Sequence, residues 1–318
     1  MKSYTFLFVL IFIFSIVFSV TINICFSVDN SLSSEEMYEG YTLAVRELAS
    51  QGLNENFNFI NLTETSTSAS SLNFLLNGQY VVISNKSFVH LVEKANLKHA
   101  IVSFPTLTFP NPYPNPKDEV KLLIYQLKDS SRFLFIYNSN PYAYQYLKAL
   151  ESISGKTIFV KKYSYDSSGL EQMVNKNSID TIVAFLDPIQ IKNLMKLISE
   201  RQNSFISKVK IVALSVYDYF DYISNYSNDY DGLYFFSILN NSLSNPFVKS
   251  YKKVFGHLPT QMAAVSFDSL LMMSAYINKK NQINASSKIL ITSKGIQRPI
   301  YFYKVDNGIP KLQAILKY

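Results

Sequence analysis

The chain has 318 residues, 48% of them hydrophobic, with a formal net charge of +7, nine glycines, three histidines and one cysteine. That length supplies one large or two ordinary cores at roughly 150 residues per domain, and a lone cysteine excludes an intrachain disulfide and a four-thiolate zinc site. No two glycines lie closer than Gly40 and Gly52, which excludes glycine-clustered phosphate cradles and a Gly-x-Ser-x-Gly elbow; the lysines are scattered as singles and doublets, so nucleic acid is not an expected partner.

Lys2, the apolar run Phe6 to Phe14 and the stretch Ser15-Ile-Val-Phe-Ser19 read as a secretory signal peptide over residues 1–19, with Val17 and Ser19 suiting a cut after Ser19. An uncleaved anchor is the alternative, since the apolar stretch extends to Phe26. Lipid modification at Cys25 is a third, with Ile22 suiting a lipobox and Ile24 not. Each exports the chain, leaving it periplasmic or anchored on the outer side of the cytoplasmic membrane.

Thr21–Phe26 reads as the first strand. Ser33 and Glu36 form a capping-box pattern, and Met37, Tyr41, Ala44 and Leu48 then fall on one helix face that stops at Gln51-Gly52. Strands at 57–62 and 79–83 follow. A second block begins with Val120, Leu123, Ile124 and Leu127 on one helix face. Strand 132–137, helix 142–153, strand 157–163, helix 168–176, strand 180–186, helix 188–200 and strand 209–214 complete it. Apolar runs such as 182–186 predict sheets covered on both faces. Between the blocks, residues 104–116 hold five prolines and predict a stiff extended crossing. Long helices return over 246–280, and 298–316 reads as a hairpin turning at Asp306-Asn-Gly308.

The expected architecture is α/β, with two Rossmann-like lobes of parallel-sheet cores joined by hinge crossings. The first lobe takes residues 20–115 plus 241–285, the second 116–240 plus 286–318. Open parallel sheets bind ligands beyond the carboxyl ends of their strands, so a cleft between the lobes is the expected site.

Several segments, in this order, resemble the type I periplasmic binding proteins, the leucine/isoleucine/valine-binding group of ABC-transporter receptors. They are Ile22 to Val28 with Gly40-Tyr-Thr-Leu-Ala-Val-Arg-Glu47, Val81-Val-Ile-Ser84 with Ser87, Ala100 to Pro105, Phe133 to Tyr142, Tyr230-Asp-Gly-Leu-Tyr234, and Asn245-Pro-Phe with Tyr251, Phe255-Gly256, Pro259 and Phe267-Asp268. The resemblance spans the mature chain. It implies an amino-acid carboxylate held by hydroxyls and helix-start N–H groups of one lobe, and an ammonium group held by a carboxylate or aromatic face of the other. By position the first-lobe candidates are Ser27, Ser84, Ser87, Thr106 and Thr108; opposite them stand Tyr142, Asp187 and either Tyr217 or Asp218. Each has a plain alternative: Ser84 and Ser87 as caps of the following helix, Tyr142 as a core or rim tyrosine, Asp187 as the cap before Pro188, and Asp218 as a solvated surface residue.

Some positions depart from the family pattern. Val28-Asp-Asn30 stands where Thr-Gly is usual, Asn85-Lys86 where Gly-Pro is common, and the loops after Asn61 and Thr108 are short. The leading expectation is therefore an exported solute-binding receptor that captures an amino acid or other small polar ligand for an ABC permease in the membrane. The alternative is a non-transport binding or regulatory envelope protein of the same fold, resembling activators of penicillin-binding proteins; the short loops favour it. No nucleophile–base pair, metal-ligand spacing at His90 or His99, or suitably paired carboxylates stand out, so no enzyme activity, catalytic residue, metal or cofactor is expected.

Overall fold

The computed structural model describes residues 20–317 apart from stretches at 27–31, 54, 63–67, 77, 85–88, 107–108, 141, 165–166, 200–207 and 293–294. The expected leader lies outside the described residues. In the first lobe β1 (Thr21–Phe26), α1 (Leu32–Ser50), β2 (Asn56–Asn61), α2 (Ala69–Leu76), β3 (Tyr80–Ile83), α3 (Val89–Ala95) and β4 (His99–Val102) alternate along the chain. Their strands form a parallel sheet of order β2-β1-β3-β4.

The chain then crosses to the second lobe, which takes α4 (Pro116–Gln126), β5 (Arg132–Tyr137), α5 (Ala143–Ile153), β6 (Thr157–Lys162), α6 (Ser167–Asn177), β7 (Thr181–Phe185), α7 (Pro188–Ser199), β8 (Lys210–Ala213), α8 (Phe220–Asn225) and β9 (Tyr234–Ser237). It returns to the first lobe for α9 (Pro246–Phe255), α10 (Gln261–Ile277), β10 (Gln282–Asn284), β11 (Lys288–Thr292) and β12 (Gly295–Gln297). It ends in the second with β13 (Ile300–Asp306) and β14 (Ile309–Leu316). The second sheet has order β14-β13-β9-β8-β7-β5-β6, parallel except for its two last strands.

The side-chain pattern accounts for the layering. Ile22 and Ile24 of β1 point to one core with Met37, Tyr41, Ala44 and Leu48 of α1, as the helical spacing predicts. Cys25 points the other way, to a core with Leu72 and Val92. All five residues of β7 are buried, which only a sheet covered on both faces allows. Proline at the first helical position follows an asparagine cap in both lobes: Asn115 Oδ1 accepts from the Lys117 N–H at 2.9 Å, and Asn245 Oδ1 from the Phe247 N–H at 3.0 Å. The expected hairpin turn is present, with Asn307 and Gly308 at φ 53° and 72°, the two left-handed positions of a type I′ turn. Ser33, expected as a cap, lies inside α1, and Glu36 bonds instead to Thr260 across the lobe, its Oε2 accepting from Thr260 Oγ1 at 2.9 Å.

The small sheet β10-β11-β12 buries Ile289 and Ile296 in the first lobe's core beside α10. We therefore place the last crossing at Gln297–Arg298, past the boundary at 285 expected from the sequence. The first lobe's two long helices meet closely. A Cβ at Gly40 on α1 would stand 2.2 Å from the Ala263 carbonyl oxygen on α10, so Gly40→Ala should cost about 1–3 kcal/mol by overpacking, read as a lower denaturation midpoint. Cys25 is a free, buried thiol pushed up to about 12 by burial. It should resist an aromatic disulfide reagent in native buffer and react fully after denaturation.

Candidate functional site

The chain passes between the lobes before α4, after β9 and after β12, and the carboxyl ends of both sheets lie toward these crossings. From the first lobe, Ser84 follows β3 and Ser103 follows β4. From the second, Asn138 follows β5, Asp187 follows β7, and Ser215 to Asp218 follow β8.

Ser84 is buried, and both its N–H and its Oγ donate to the Cys25 carbonyl, each at 2.9 Å. This ties the ends of β1 and β3. Ser27, Ser87 and Thr108 lie outside the described residues. Thr106 is half-buried on the first crossing, its carbonyl accepting from Asn111 Nδ2 at 3.2 Å.

On the second lobe Tyr142 is buried, packed edge-on to Tyr146 with ring centroids 5.8 Å apart and 6.5 Å from Phe185. Burial and the nearby Glu119 carboxylate push its phenol well above the usual range. Asp187 and Gln190 cap α7 reciprocally: Asp187 Oδ1 accepts from the Gln190 N–H at 2.8 Å, and Gln190 Oε1 from the Asp187 N–H at 3.2 Å. The hydroxyl of Tyr217 accepts from Asn138 Nδ2 at 2.8 Å, bridging the ends of β5 and β8, and burial raises its phenol.

Tyr142 and Tyr217 both pack against Phe185, tilted and edge-on, and Asp187 lies two residues after it, so these three candidates share one end of the second sheet. Asp218, one residue from Tyr217, points elsewhere. Its Oδ1 accepts from the Phe220 N–H at 3.0 Å, while its Oδ2 accepts from the backbone N–H of Gln261 in the first lobe. Burial pushes the Asp218 carboxyl up to about 6 against those donors.

The junction also uses residues that sequence reading passed over. Gln261 is buried, its Nε2 donating to the Ser215 carbonyl at 2.6 Å and its Oε1 facing Ser237 Oγ at 3.4 Å. Glu119 is fully buried below Ser215: Oε1 accepts from the Ser215 N–H at 2.8 Å, and Oε2 from Ser215 Oγ at 2.6 Å and the Tyr146 hydroxyl at 2.8 Å. In the first lobe Ser103 Oγ lies 2.7 Å from the Tyr41 hydroxyl and donates to Ser269 Oγ at 2.9 Å. The Asn115-Pro116 pair marks where α4 starts but not which of its faces turns inward, so it does not single out Glu119. No signal marks Gln261 either.

Among the described residues no group of three or more His, Cys, Asp and Glu side chains is placed to hold a metal ion. None of the helices described is long and apolar enough to cross a membrane.

No protein-family model and no curated protein matches the chain. Solved structures do. A branched-chain amino acid transporter substrate-binding protein from Streptococcus pneumoniae in complex with isoleucine is 13% identical, with TM-score 0.69 over 93% of this chain and 98% of that one. An ABC transporter substrate-binding protein from Desulfitobacterium hafniense complexed with Leu is 16% identical, with TM-score 0.69 over 93% and 100%. A solute-binding protein of an ABC transporter from R. palustris in complex with benzoate is 10% identical, with TM-score 0.64 over 93% and 96%. The chain has the two-lobed fold of the type I periplasmic binding proteins, as its alternation of strands and helices and the order of its motifs led us to expect.

Proposed function

We propose that the chain is an exported solute-binding receptor that holds a small polar ligand between its lobes, without transforming it, and presents it to an ABC permease. The observation that carries this reading is the apposition of two parallel sheets by their carboxyl ends across the crossings, with hydroxyl, amide and carboxylate side chains at the rims. The fold neighbours in complex with isoleucine, Leu and benzoate make a small carboxylate the first ligand to try.

Within that reading Ser27 and Ser87 serve the carboxylate, Ser84 braces the ends of β1 and β3 beside them, and Tyr217 with Asp187 serve the opposite end of the ligand. Tyr142 supports the aromatic floor, and Asp218 joins the lobes. A non-transport binding module of the same fold is the second reading. The bonds that already engage Ser84, Asp187 and Asp218 within the protein favour it.

The test is a thermal-unfolding screen of the protein lacking residues 1–19 against L-leucine, L-isoleucine, other amino acids, amides and benzoate. A ligand at a hundred times its dissociation constant should stabilise the native state by about 2.7 kcal/mol. A Tyr217→Phe substitution should then weaken that ligand roughly tenfold, if the hydroxyl contributes one hydrogen bond of ordinary strength. A complete screen without a shift rejects the receptor in favour of the second reading.

A further inference from the structure

Segments that join lobes are ordinarily exposed and weakly held. Here they are not. Arg298, on the last crossing, is fully buried. Its Nη1 donates to the Pro112 carbonyl on the first crossing at 2.7 Å, and its Nη2 donates to the Ile238 carbonyl on the second at 3.1 Å. The same guanidinium is anchored to the first lobe, with Nη1 2.9 Å from Asp268 Oδ2 on α10 and Nη2 donating to Ser286 Oγ at 3.0 Å. Asp268 is itself fixed by the Ser286 N–H and Oγ, both at 2.7 Å. Tyr113, Ile238 and Val265 pack together at the same junction.

We infer that Arg298 is the fulcrum of lobe motion, a positioning residue that clamps all three crossings to α10 so that the second lobe turns about a fixed point. The planar fork of arginine is what makes this possible, because its donors diverge at set angles toward separate acceptors; a lysine ammonium of similar length cannot reach them together. The bonds that must change when the lobes turn are then those further out, from Gln261 to Ser215 and Asp218. The inference rests on the receptor reading only for the use made of the motion.

The fulcrum can be tested without ligand. Nitroxide labels are placed at Phe74→Cys on α2 and Tyr144→Cys on α5, both exposed and on different lobes. Cys25 stays, since its buried thiol does not label. Double electron–electron resonance then compares the interlobe distance distribution with Arg298 in place and in the Arg298→Lys variant, whose folding is checked by circular dichroism. The distribution should become about twofold broader in folded Arg298→Lys as hinge bending is freed. An unchanged distribution in a folded but less stable variant assigns Arg298 to stability alone and overturns the fulcrum.

Hydrogen exchange on the unsubstituted full chain gives a second measure that needs no variant. The amides of Tyr113 and Leu239 should be as protected as those of β7, exchanging only by global unfolding. Exchange as fast as at the Asn307–Gly308 turn would overturn the inference as well. A receptor that binds nothing fails in the ligand screen and leaves both measurements standing, so the two ideas fail separately.

Discussion

Arg298→Met should lower the free energy of unfolding by about 3–5 kcal/mol, the range seen when one member of a buried ion pair is removed. Both side chains of the Arg298–Asp268 pair are fully buried. Methionine fills much of the volume, so packing is not the main loss. What remains is the Asp268 carboxylate, still bonded to Ser286 but without its counter-ion, and the carbonyls of Pro112 and Ile238 without their donor. The double variant Arg298→Met, Asp268→Leu removes both charges and should recover a large part of the loss. Urea unfolding followed by circular dichroism reads both. A single variant within 1 kcal/mol of the parent would mean, by the ordinary cost of breaking such a pair, that water or a rearranged neighbour replaces the guanidinium.

That dependence of stability on one residue between the last strand of one lobe and the next strand of the other follows from the way the fold is threaded. Each lobe buries its own apolar faces in separate cores. Between them, among the described residues, Tyr113, Ile238 and Val265 form one small apolar group. The lobes are therefore held by polar geometry, at Arg298 for the crossings and at Gln261 for the rims of the sheets. On the receptor reading the junction opens and recloses to one geometry, and directional bonds suit that because they specify an orientation, whereas an extended apolar contact would be costly to separate.

What the sequence made legible was local. A continuous apolar run located β7, period-3.6 apolar spacing located the α1 stripe, and Asp306-Asn-Gly308 located the last hairpin, because each depends on neighbours in the chain. The cap at Asp187 was visible for the same reason, from the proline that follows it; the reciprocal bond from Gln190 was not. The stretch that forms α2 is rich in serine and reads as a loop; it is helical because Leu72 and Leu76 find a core to enter.

Arg298 could not be seen as a buried residue, since its acceptors lie 186 and 60 residues away and arginine is exposed by default. Asp218 was similarly read as a surface or ligand residue. Its partner Gln261 lies 43 residues on, in the other lobe. The loops that would complete the candidate site at Ser27 and Ser87 carry turn residues of their own, and turn chemistry without tertiary partners leaves side-chain direction open.

Stability should fall as the pH is raised from about 4.5 to about 7, and Glu119 should account for the largest single share. Burial pushes its carboxyl up from 4.5 to about 7, against the opposing pull of the Ser215 and Tyr146 donors. A carboxyl whose folded value is raised is protonated more readily in the native state than in the unfolded one, so the native state gains relative stability at low pH. That gain is lost as pH climbs from the unfolded value through the folded one. A shift of this size corresponds to about 3 kcal/mol. Glu36 and Asp218 are raised in the same direction, to about 7 and about 6, and add to the trend with less weight because water reaches both. Glu119→Gln keeps an acceptor for Ser215 and has no proton to lose above pH 4.5. Urea unfolding at pH 5, 6, 7 and 8 should show the parent losing stability across the series and Glu119→Gln losing much less. Equal slopes would mean that the three donors around Glu119 offset its burial fully and keep it ionised throughout, and the pH dependence would then arise from the other raised carboxyls, among them Glu36, Asp218 and Asp268.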